Sequence, residues 1–352
     1  MIINKIYNDF NIQGNLVNIN SYGDGHINDT YLIETNTNKY IIQRINNKVF
    51  KNPNKLMKNF SRITKWMEDH IINYQGIKLI ETKKGKKYLR KDNNYFRCYK
   101  YIENCICFEK VDDLNVIYEM GKALGTFDKT LESFPLNKLY NVIPNFHNGR
   151  QRYNNFKKSV KINKSNRKYK VLKEIFFIYK RNQYFDIINN EIKNKTIRIM
   201  PIHNDPKMNN ILIDKITQKQ ICLIDLDTVM PGTILYDYGD AVRSIILNCK
   251  EDEEDIDKVE LNFDKFDWFN MGFFEVMKES LTLKEKELLI DSIIIITLEC
   301  GMRFLTDYID GDKYFKIDDK EQNLRRARVC LKQVALLEQN KDKLDLLIKK
   351  IG

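Results

Sequence analysis

The sequence has no apolar run long enough to cross a membrane. The longest, IIIIT at 293–297, is far shorter than the roughly 20 residues that a spanning helix needs. The first residues, MIINKIYNDFNIQG, contain neither a long apolar core nor a small-residue cleavage site, so we expect no signal peptide. Together these absences predict a soluble cytoplasmic protein.

The seven cysteines lack the spacing of a metal site or of a disulfide framework. Their number is odd and they are scattered along the chain. The only close pair, Cys105 and Cys107, does not have the CxxC spacing with which two thiolates hold one metal ion. We therefore expect free and mostly buried thiols in a reducing compartment.

The chain also lacks a localised basic patch, although its 352 residues carry a formal net charge of +11. Lysines are spread along the whole chain among acidic residues, whereas a face that binds nucleic acid needs clustered positive charge. Neither a nucleic acid nor a membrane is therefore an expected partner. The length and the hydrophobic content of 43% indicate a globular protein with one large domain or two lobes.

The first hundred residues have the pattern of a small β-rich lobe. Alternating runs separated by turn residues predict strands at 16–22, 30–35, 39–45, 77–82, 86–90 and 95–102. Asn52 followed by Pro53 predicts the start of a helix. Apolar residues at spacings of three and four give that helix one buried face: Leu56, Phe60, Ile63, Met67 and Ile71.

From about residue 112 the pattern changes to amphipathic helices, predicted at 114–131, 169–180, 265–280, 284–309 and 321–350. Two short strand-like segments, one ending at Asp214 and one beginning at Ile221, predict a hairpin within this helical part. The chain has no Ser/Pro-rich linker and no internal repeat. We therefore expect two lobes, 1–103 and 104–352, that share a cleft where a ligand binds.

The segment HNDPKMNN at 203–210 has the spacing of the kinase catalytic loop, HxDxxxxN. In that loop the Asp lies near the acceptor hydroxyl and the Asn five residues later binds a metal ion. Asp205 and Asn210 occupy these positions, and Asp225 takes the place of the metal-binding Asp of DFG, although the sequence here is DLD. Such hard oxygen ligands suit Mg²⁺. A structural role for His203 and a simple turn at Asp225 are the alternatives.

The segment YGDGHINDTYLI at 22–33 is a Gly-rich turn between two predicted strands. Gly23 and Gly25 permit close approach of the backbone to phosphates, although a lone GxG more often marks an ordinary hairpin. Neither GxGxxG before a helix nor GxxxxGK[ST] is present, which excludes the Rossmann and P-loop fingerprints.

Together these segments resemble the aminoglycoside phosphotransferase and choline kinase-like family, a branch of the protein-kinase fold. The likeness runs from about residue 20 to the C-terminal helices and includes IDLDTVMPG, YDYGDAVR and ECGMRFLTDYIDGDKYF. It extends to the subgroup that phosphorylates the anomeric hydroxyl of N-acetylhexosamines. It implies an α+β, two-lobed fold, with a small antiparallel β-rich N-lobe containing one main helix and a larger helical C-lobe. It also implies an enzyme that uses ATP and Mg²⁺ on a small-molecule sugar.

The resemblance further assigns roles to individual residues. Asp205 would be the catalytic base and contact the acceptor, while Asn210 and Asp225 would hold Mg²⁺. Arg303 and Tyr314 would contact the sugar. The residues that would contact the nucleotide are Gly23, Gly25, His26, Asn28, Arg44, Tyr101 and Glu103.

Several alternatives remain open at the level of the sequence. Gln43 stands where the kinase pattern has a phosphate-binding lysine, with Arg44 beside it on the other face of the strand. Arg303 lies one helical turn after Glu299, so an ion pair between them competes with a sugar contact. Asp237 and Asp240 are expected to brace neighbouring loops. Choline, homoserine, an aminoglycoside or another hexose are alternative acceptors, and the sequence does not predict an oligomeric state.

Overall fold

Antiparallel strands make up most of the first hundred residues in the computed structural model, which describes residues 3–23 and 27–352. This N-lobe contains α1 (Ile3–Ile6), β1 (Leu16–Ser21), β2 (Asp29–Thr35), β3 (Lys39–Ile45), α2 (Pro53–His70), β4 (Leu79–Ile80), β5 (Leu89–Lys91) and β6 (Asn94–Lys100). The strands form one sheet in the order β1-β2-β3-β6-β4, with β5 also paired to β6. The predicted antiparallel sheet is confirmed.

The register of the sheet brings polar residues of three strands side by side. Gln43 on β3 lies opposite Thr30 on β2 and opposite Arg97 on β6. The residues on either side of Arg97, Phe96 and Cys98, are buried in an apolar cluster on the other face of the sheet. Because side chains alternate along a strand, Gln43 and Arg97 point to the same face.

Helix α2 begins where the sequence predicts it. The Asn52 side chain accepts a hydrogen bond from the Lys55 backbone N–H at 3.1 Å, and Pro53 is the first helical residue. Leu56, Phe60 and Ile63 are fully buried, as the apolar spacing predicts. This face therefore packs into the core and fixes the position of the helix.

The C-lobe is mainly helical, which confirms the predicted fold class. Its elements are β7 (Cys105–Ile106), α3 (Leu114–Leu131), α4 (Gly149–Ile162), α5 (Leu172–Lys180), α6 (Tyr184–Asn194), β8 (Met200–Ile202), β9 (Ile211–Asp214), β10 (Gln220–Leu223), β11 (Met230–Gly232), α7 (Ile234–Ile245), α8 (Phe263–Met277), α9 (Leu283–Glu287), α10 (Leu289–Asp310), α11 (Gln322–Gln339) and α12 (Lys341–Ile351). Helix α10 lies at the centre, in contact with α4, α7 and α11.

Two short antiparallel sheets in the C-lobe place the candidate site. The predicted hairpin is β9 and β10, to which β7 adds a third strand, while β8 pairs with β11. The loop after β8 and the loop after β10 consequently lie next to each other. The segment between β6 and β7 joins the two lobes beside this hairpin.

Two predicted helices are each interrupted in the structure. The span 284–309 is divided into α9 and α10 at Leu288, where the backbone leaves the helical conformation (φ −98°, ψ 1°), while a capping box between Thr282 and Glu285 begins the short helix α9. The span 321–350 is divided into α11 and α12 at Asn340, whose side chain donates to the Leu336 carbonyl at 2.8 Å and competes with the regular helical bonds. Helices α4, α6 and α7 were not predicted.

In the part of the chain that the structure describes, no helix is both long and apolar enough to span a membrane. All seven cysteines are free, as expected. Four of them are buried: Cys98, Cys222, Cys300 and Cys330.

Candidate active site

A buried histidine, His203, fixes the loop after β8 by hydrogen bonds. His203 is fully buried, and its Nε2 lies 2.8 Å from the Ile224 carbonyl oxygen. Its Nδ1 accepts a hydrogen bond from the Asp205 backbone N–H at 3.3 Å. Burial lowers the pKa of His203 to about 4, so the ring is neutral near pH 7, with its proton on Nε2. His203 therefore links the two loops and positions Asp205.

A carboxylate from α7 fixes the same loop from the other side. Asp237 accepts the backbone N–H groups of His203 and Asn204 at 2.5 and 2.6 Å. Burial raises the pKa of Asp237 to about 7, while these two hydrogen bonds oppose that rise. Asp237 thus braces a loop, as the sequence analysis expected.

Asp205 and Asn210 are brought together at the end of this loop. The Asn210 Nδ2 donates to the Asp205 carbonyl oxygen at 2.9 Å, which leaves the Asn210 Oδ1 available for a cation. The Asp205 side chain is 31% exposed, with the Lys207 ammonium 3.6 Å from its Oδ2. Desolvation in the cleft raises the pKa of Asp205, and the charge of Lys207 opposes that rise.

Asp225 follows β10 in a left-handed backbone conformation, with φ of 60° and ψ of 49°. Its carboxylate opens into the cleft and forms no ion pair with any described residue. Desolvation raises its pKa to about 7, and the nearby carboxylates of Asp227 and Asp205 contribute to the rise. Bringing such carboxylates together without a cation is unfavourable.

These donors fit a magnesium ion that is completed by other ligands. The Asn210 amide oxygen and the Asp225 carboxylate are hard oxygen donors of the kind that Mg²⁺ prefers. Among the described residues, however, no group of three or more His, Cys, Asp and Glu side chains forms a ready-made metal site. This matches a site in which phosphate and water oxygens supply the remaining ligands.

Several of the residues expected around the nucleotide lie within the described part of the chain. Gly23 has a φ of 74°, and no described atom lies within 4 Å of where its Cβ would be. Gly25 and His26 lie outside the described residues. The Tyr101 hydroxyl is 3.2 Å from the Tyr22 hydroxyl, so the end of β1 meets the segment between the lobes. Glu103, in the same segment, is exposed.

The structure separates the roles of the two neighbouring residues on β3. Arg44 is exposed and forms an ion pair with Asp29, on the face away from the loop after β10. Gln43 faces that loop, and its Oε1 accepts hydrogen bonds from Arg97 at 2.9 and 2.7 Å. Asn28 lies at the start of β2, and its Nδ2 donates to the Asp227 Oδ2 at 2.6 Å.

A polar pocket adjoins Asp205 on the C-lobe side. Arg303 is part of its wall, together with Phe146, His147, Asn204, Asp240, Arg243, Ile296, Glu299 and Cys300. Tyr314 is 68% exposed, and the Arg303 guanidinium carbon lies 6.0 Å from the centre of its ring. The structure therefore brings Asp205 and Arg303 to one pocket and leaves Tyr314 at its rim.

Most of the acidic side chains of this pocket already have a cation. Asp240 accepts from the Arg243 Nε at 2.7 Å through its Oδ1, and Glu299 pairs with the Arg152 Nε at 2.9 Å. Glu299 does not pair with Arg303, so the helical ion pair considered as an alternative is not formed. Within residues 3–23 and 27–352, Arg303 has no ion pair, and the buried Asp240 Oδ2 has no hydrogen-bond partner.

Sequence reasoning missed several residues of the site. His147 lies just before α4, and Arg152 lies within it. This helix was not predicted, and nothing in the sequence spacing of these two residues sets them apart. Arg97 left a weaker signal, because it is a charged residue between the strand residues Phe96 and Cys98. Its partner, Asp227, is 130 residues away in the chain. Sequence patterns do not reveal a pairing between residues so far apart.

Several solved structures share this architecture. A microcompartment-associated aminopropanol kinase superposes with a TM-score of 0.63 at 12% identity, covering 98% of each chain. A spectinomycin phosphotransferase in complex with ADP and spectinomycin gives 0.61 at 13% identity, covering 93% of this chain and 94% of the other. A choline kinase from Cryptosporidium parvum Iowa II gives 0.59 at 13% identity, covering 99% and 98%. These likenesses establish the shared fold.

A family model covers most of the chain and includes the loops described above. Residues 18–274 match the phosphotransferase enzyme family, known as APH. The match spans β1 to α8 and therefore contains Asp205, Asn210 and Asp225. The chain belongs to this phosphotransferase enzyme family.

Proposed function

We propose that the chain is an ATP- and Mg²⁺-dependent kinase that transfers the γ-phosphoryl group to the anomeric hydroxyl of an N-acetylhexosamine. The observation that carries the choice of acceptor is the charge of the pocket beside Asp205. Its acidic residues Asp240 and Glu299 are paired with arginines, while Arg303 is without an ion pair among the described residues. The site would act in the cytoplasm, where ATP is available.

The chemistry assigned to the loops follows their geometry. Asp205 orients the acceptor hydroxyl and receives its proton, and an anomeric hydroxyl is more acidic than an ordinary alcohol. Asn210 and Asp225 would hold Mg²⁺, which neutralises charge on the phosphates during transfer. Since phosphoryl transfer depends mainly on positioning and charge stabilisation, the braces from His203 and Asp237 contribute by fixing Asp205.

The nucleotide would lie between the lobes, with the boundary near residue 103. The adenine would contact the segment 100–103, including Tyr101 and Glu103, mainly through backbone groups. The Gly-rich turn with Gly23 would cover the phosphates. The exposed ion pair of Arg44 with Asp29 favours a role for Arg44 outside the phosphate site.

The pocket suits a neutral, hydroxyl-rich acceptor better than a cationic one. A quaternary ammonium is typically held by the faces of aromatic rings, and an aminoglycoside requires uncompensated acidic groups. Here an unpaired Arg303 would repel a cation, whereas its guanidinium can donate to sugar oxygens. Tyr314 at the rim would contact the same sugar.

Asp240 is a further candidate for contact with the acceptor. Its Oδ1 is fixed by Arg243, while its Oδ2 is buried without a partner among the described residues. A buried acceptor atom that lacks a donor is unfavourable. A sugar hydroxyl would satisfy it, which supports an acceptor with several hydroxyl groups.

An ADP-release assay with Mg-ATP over several acceptor classes tests this proposal. The panel contains N-acetylglucosamine, N-acetylgalactosamine, glucose, galactose, choline, homoserine and an aminoglycoside. We expect turnover with the N-acetylhexosamines and none with choline. Turnover with an amine and none with any sugar would overturn the proposed acceptor.

Asp240→Asn tests the contact within the pocket. This variant keeps the shape of the side chain but weakens its pairing with Arg243 and its acceptor atom. We expect a rise in the sugar KM by roughly 10- to 100-fold, in line with about 1.5–3 kcal/mol for a hydrogen bond to a charged group, with the KM for ATP nearly unchanged. Equal changes in both KM values would count against a contact with the acceptor.

A further inference from the structure

A buried arginine connects the sheet of the N-lobe to the loop that carries Asp225. The Arg97 side chain is 1% exposed. Both of its terminal nitrogens bond to the two carboxylate oxygens of Asp227, one of them at 3.0 Å. Its Nε and Nη2 also donate to the Gln43 Oε1, and its guanidinium carbon lies 4.0 Å from the centre of the Phe60 ring.

This ion pair is not an efficient means of stabilising the fold. Removing two charges from water has a large desolvation cost, and well-packed apolar residues of similar volume are often as stabilising as a buried ion pair. The pair of Arg97 and Asp227 spans 130 positions in the chain and joins two lobes. The arrangement of Arg97 and Asp227 therefore indicates a role other than packing.

The partner of Arg97 controls the loop after β10. Asp227 lies two residues after Asp225, within a single 3₁₀ turn at Leu226–Thr228. Besides Arg97, its carboxylate accepts from Asn28 at 2.6 Å, and Asn28 in turn accepts the Asn46 backbone N–H at 3.0 Å. Asp227, two residues after Asp225, is thus held by Arg97 on β6 and by Asn28, which immediately precedes β2.

The residue on β3 at the usual position of a phosphate-binding lysine is uncharged in this chain. Gln43 stands there, and its side chain bonds Thr30 and Arg97. Arg44 is turned away and paired with Asp29. The fixed positive charge on this face of the sheet is therefore on β6, directly across from Gln43.

We propose that Arg97 is a positioning residue that supplies on β6 the fixed positive charge that β3 lacks and acts through Asp227 to hold Asp225 in place for the Mg-nucleotide. This inference rests on the proposed function for the nucleotide and the metal, but not on the identity of the acceptor. Arg97 is too enclosed by Asp227 and Gln43 to contact a phosphate itself. Its charge and its forked geometry instead fix the loop, since Arg can bind both oxygens of one carboxylate.

The test compares nucleotide binding with and without Mg²⁺ in three variants. Arg97→Gln removes the positive charge on β6. The double variant Arg97→Gln/Gln43→Lys places a positive charge on β3 instead, at the position directly opposite residue 97. Arg90→Gln is the matched control, because it removes an exposed arginine from β5, which pairs with β6 in the same sheet. Isothermal calorimetry gives the Kd of Mg-ATP and of metal-free ATP, and thermal melting reports folding.

We expect Arg97→Gln to weaken Mg-ATP binding by about 10- to 100-fold, the usual effect of losing a residue that orients a metal ligand, with a much smaller change for metal-free ATP. The double variant should recover most of the Mg-dependent affinity. Arg90→Gln should match the parent protein. A merely structural Arg97 would lower the melting temperature while leaving the ratio of the two Kd values unchanged.

Other outcomes of these measurements distinguish a failure of the inference about Arg97 from a failure of the proposed acceptor. If Arg97→Gln does not fold, the double variant provides the test, and a folded double variant without Mg-dependent binding overturns the proposal. If the parent protein binds Mg-ATP but phosphorylates no sugar, the proposed acceptor fails while the inference about Arg97 stands on the binding data. A parent protein that binds no Mg-ATP would overturn both.

Discussion

At the scale of single residues, Asp205 is placed by groups that do not react themselves. His203 bonds its backbone N–H, Asn210 bonds its carbonyl oxygen, and Asp237 holds the two residues before it. The carboxylate alone remains partly exposed. If the proposed function holds, this arrangement would keep a base within reach of the acceptor, which is the requirement for general base catalysis.

Asp205→Asn should reduce kcat without a comparable loss of nucleotide binding. The amide keeps the size of the side chain but cannot take the proton, so we expect a fall of about 10²- to 10⁴-fold. Steady-state kinetics and calorimetry with Mg-ATP measure the two quantities. Asp69→Asn, which removes an exposed carboxylate of α2, is the control, and unchanged turnover in Asp205→Asn would contradict the assignment.

Two buried carboxyl groups, those of Asp128 and Asp237, lie next to each other near the loop after β8. Asp128 on α3 is fully buried, and neither of its oxygens accepts a hydrogen bond from a described residue. Desolvation, together with the neighbouring Asp237, raises the pKa of Asp128 well above its ordinary value. A protonated Asp128 that donates to Asp237 accounts for both observations.

This pair predicts how stability depends on pH. An acid whose pKa is raised by folding stabilises the protein fully only below its unfolded value, and this contribution is lost as the pH rises through the folded value. For Asp128 and Asp237, this loss of stability begins near pH 4, the ordinary pKa of an unfolded Asp. It continues to about pH 7 or above, since the pKa of Asp237 in the folded protein is about 7. The stability of the parent protein should therefore fall across this range.

Asp128→Asn removes the buried proton from the pair, because its amide can donate to Asp237 at any pH. We expect its melting temperature to lie near that of the parent at pH 5 and to exceed it by a growing margin up to pH 8. Melting curves across this range measure the margin. A margin that does not change with pH would mean that Asp128 does not hold a proton in the folded protein.

Among the individual residues, Asp205, Asn210 and Asp225 could be proposed from the sequence because the motif that contains them depends on local spacing. The sequence could not show Arg97 or Arg152, whose partners are Asp227 and Glu299 on distant elements. Their positions depend on how the lobes and helices pack, which short-range patterns do not encode.

At the scale of elements, α3 and α8 approach closely enough to exclude a side chain at their contact. A Cβ at Gly121 would lie 2.0 Å from the Phe269 carbonyl oxygen, and one at Gly272 would lie 1.9 Å from the Tyr118 carbonyl oxygen. Gly125 is less tightly placed, with 3.1 Å to the Phe273 carbonyl oxygen. The two glycines at the contact thus set the separation of the helices.

Gly121→Ala should destabilise the protein, although alanine favours a helix over glycine by about 1 kcal/mol. Separating α3 from α8 should cost about 1–3 kcal/mol, as overpacking of a core typically does. Chemical denaturation measures the difference. Gly125→Ala is the matched comparison on the same helix and should cost less; an equal or smaller loss for Gly121→Ala would contradict this description of the contact.

The elements were predictable where one face of a helix or strand is buried. Helices α2 and α3 and the strands β1 to β3 have clear periodicity and begin near the expected residues. Helix α7 was missed because nearly all of its residues are buried, including Asp237 and Asp240, so its sequence shows no polar face. The breaks depend on local backbone geometry at Leu288 and on a side-chain hydrogen bond at Asn340, which a periodic pattern does not show.

At the scale of the whole molecule, the lobes meet through polar contacts around the site. Asp227 bonds Arg97 and Asn28, and the Asn59 side chain on α2 donates to the Val229 carbonyl oxygen at 3.1 Å. The loop with Asp225 is thus attached to the N-lobe, while Asp205 belongs to the C-lobe. For the proposed function, such a division would let one cleft bring a nucleotide and an acceptor together.

In the proposed function, this cleft phosphorylates the anomeric hydroxyl of an N-acetylhexosamine. The most direct measurement is ADP release with Mg-ATP on N-acetylglucosamine and on its 1-O-methyl glycoside, with N-acetylgalactosamine measured in the same way. We expect turnover with the free sugars that disappears when the anomeric oxygen is methylated. Equal turnover with the methyl glycosides, or none with the free sugars, would contradict the claim.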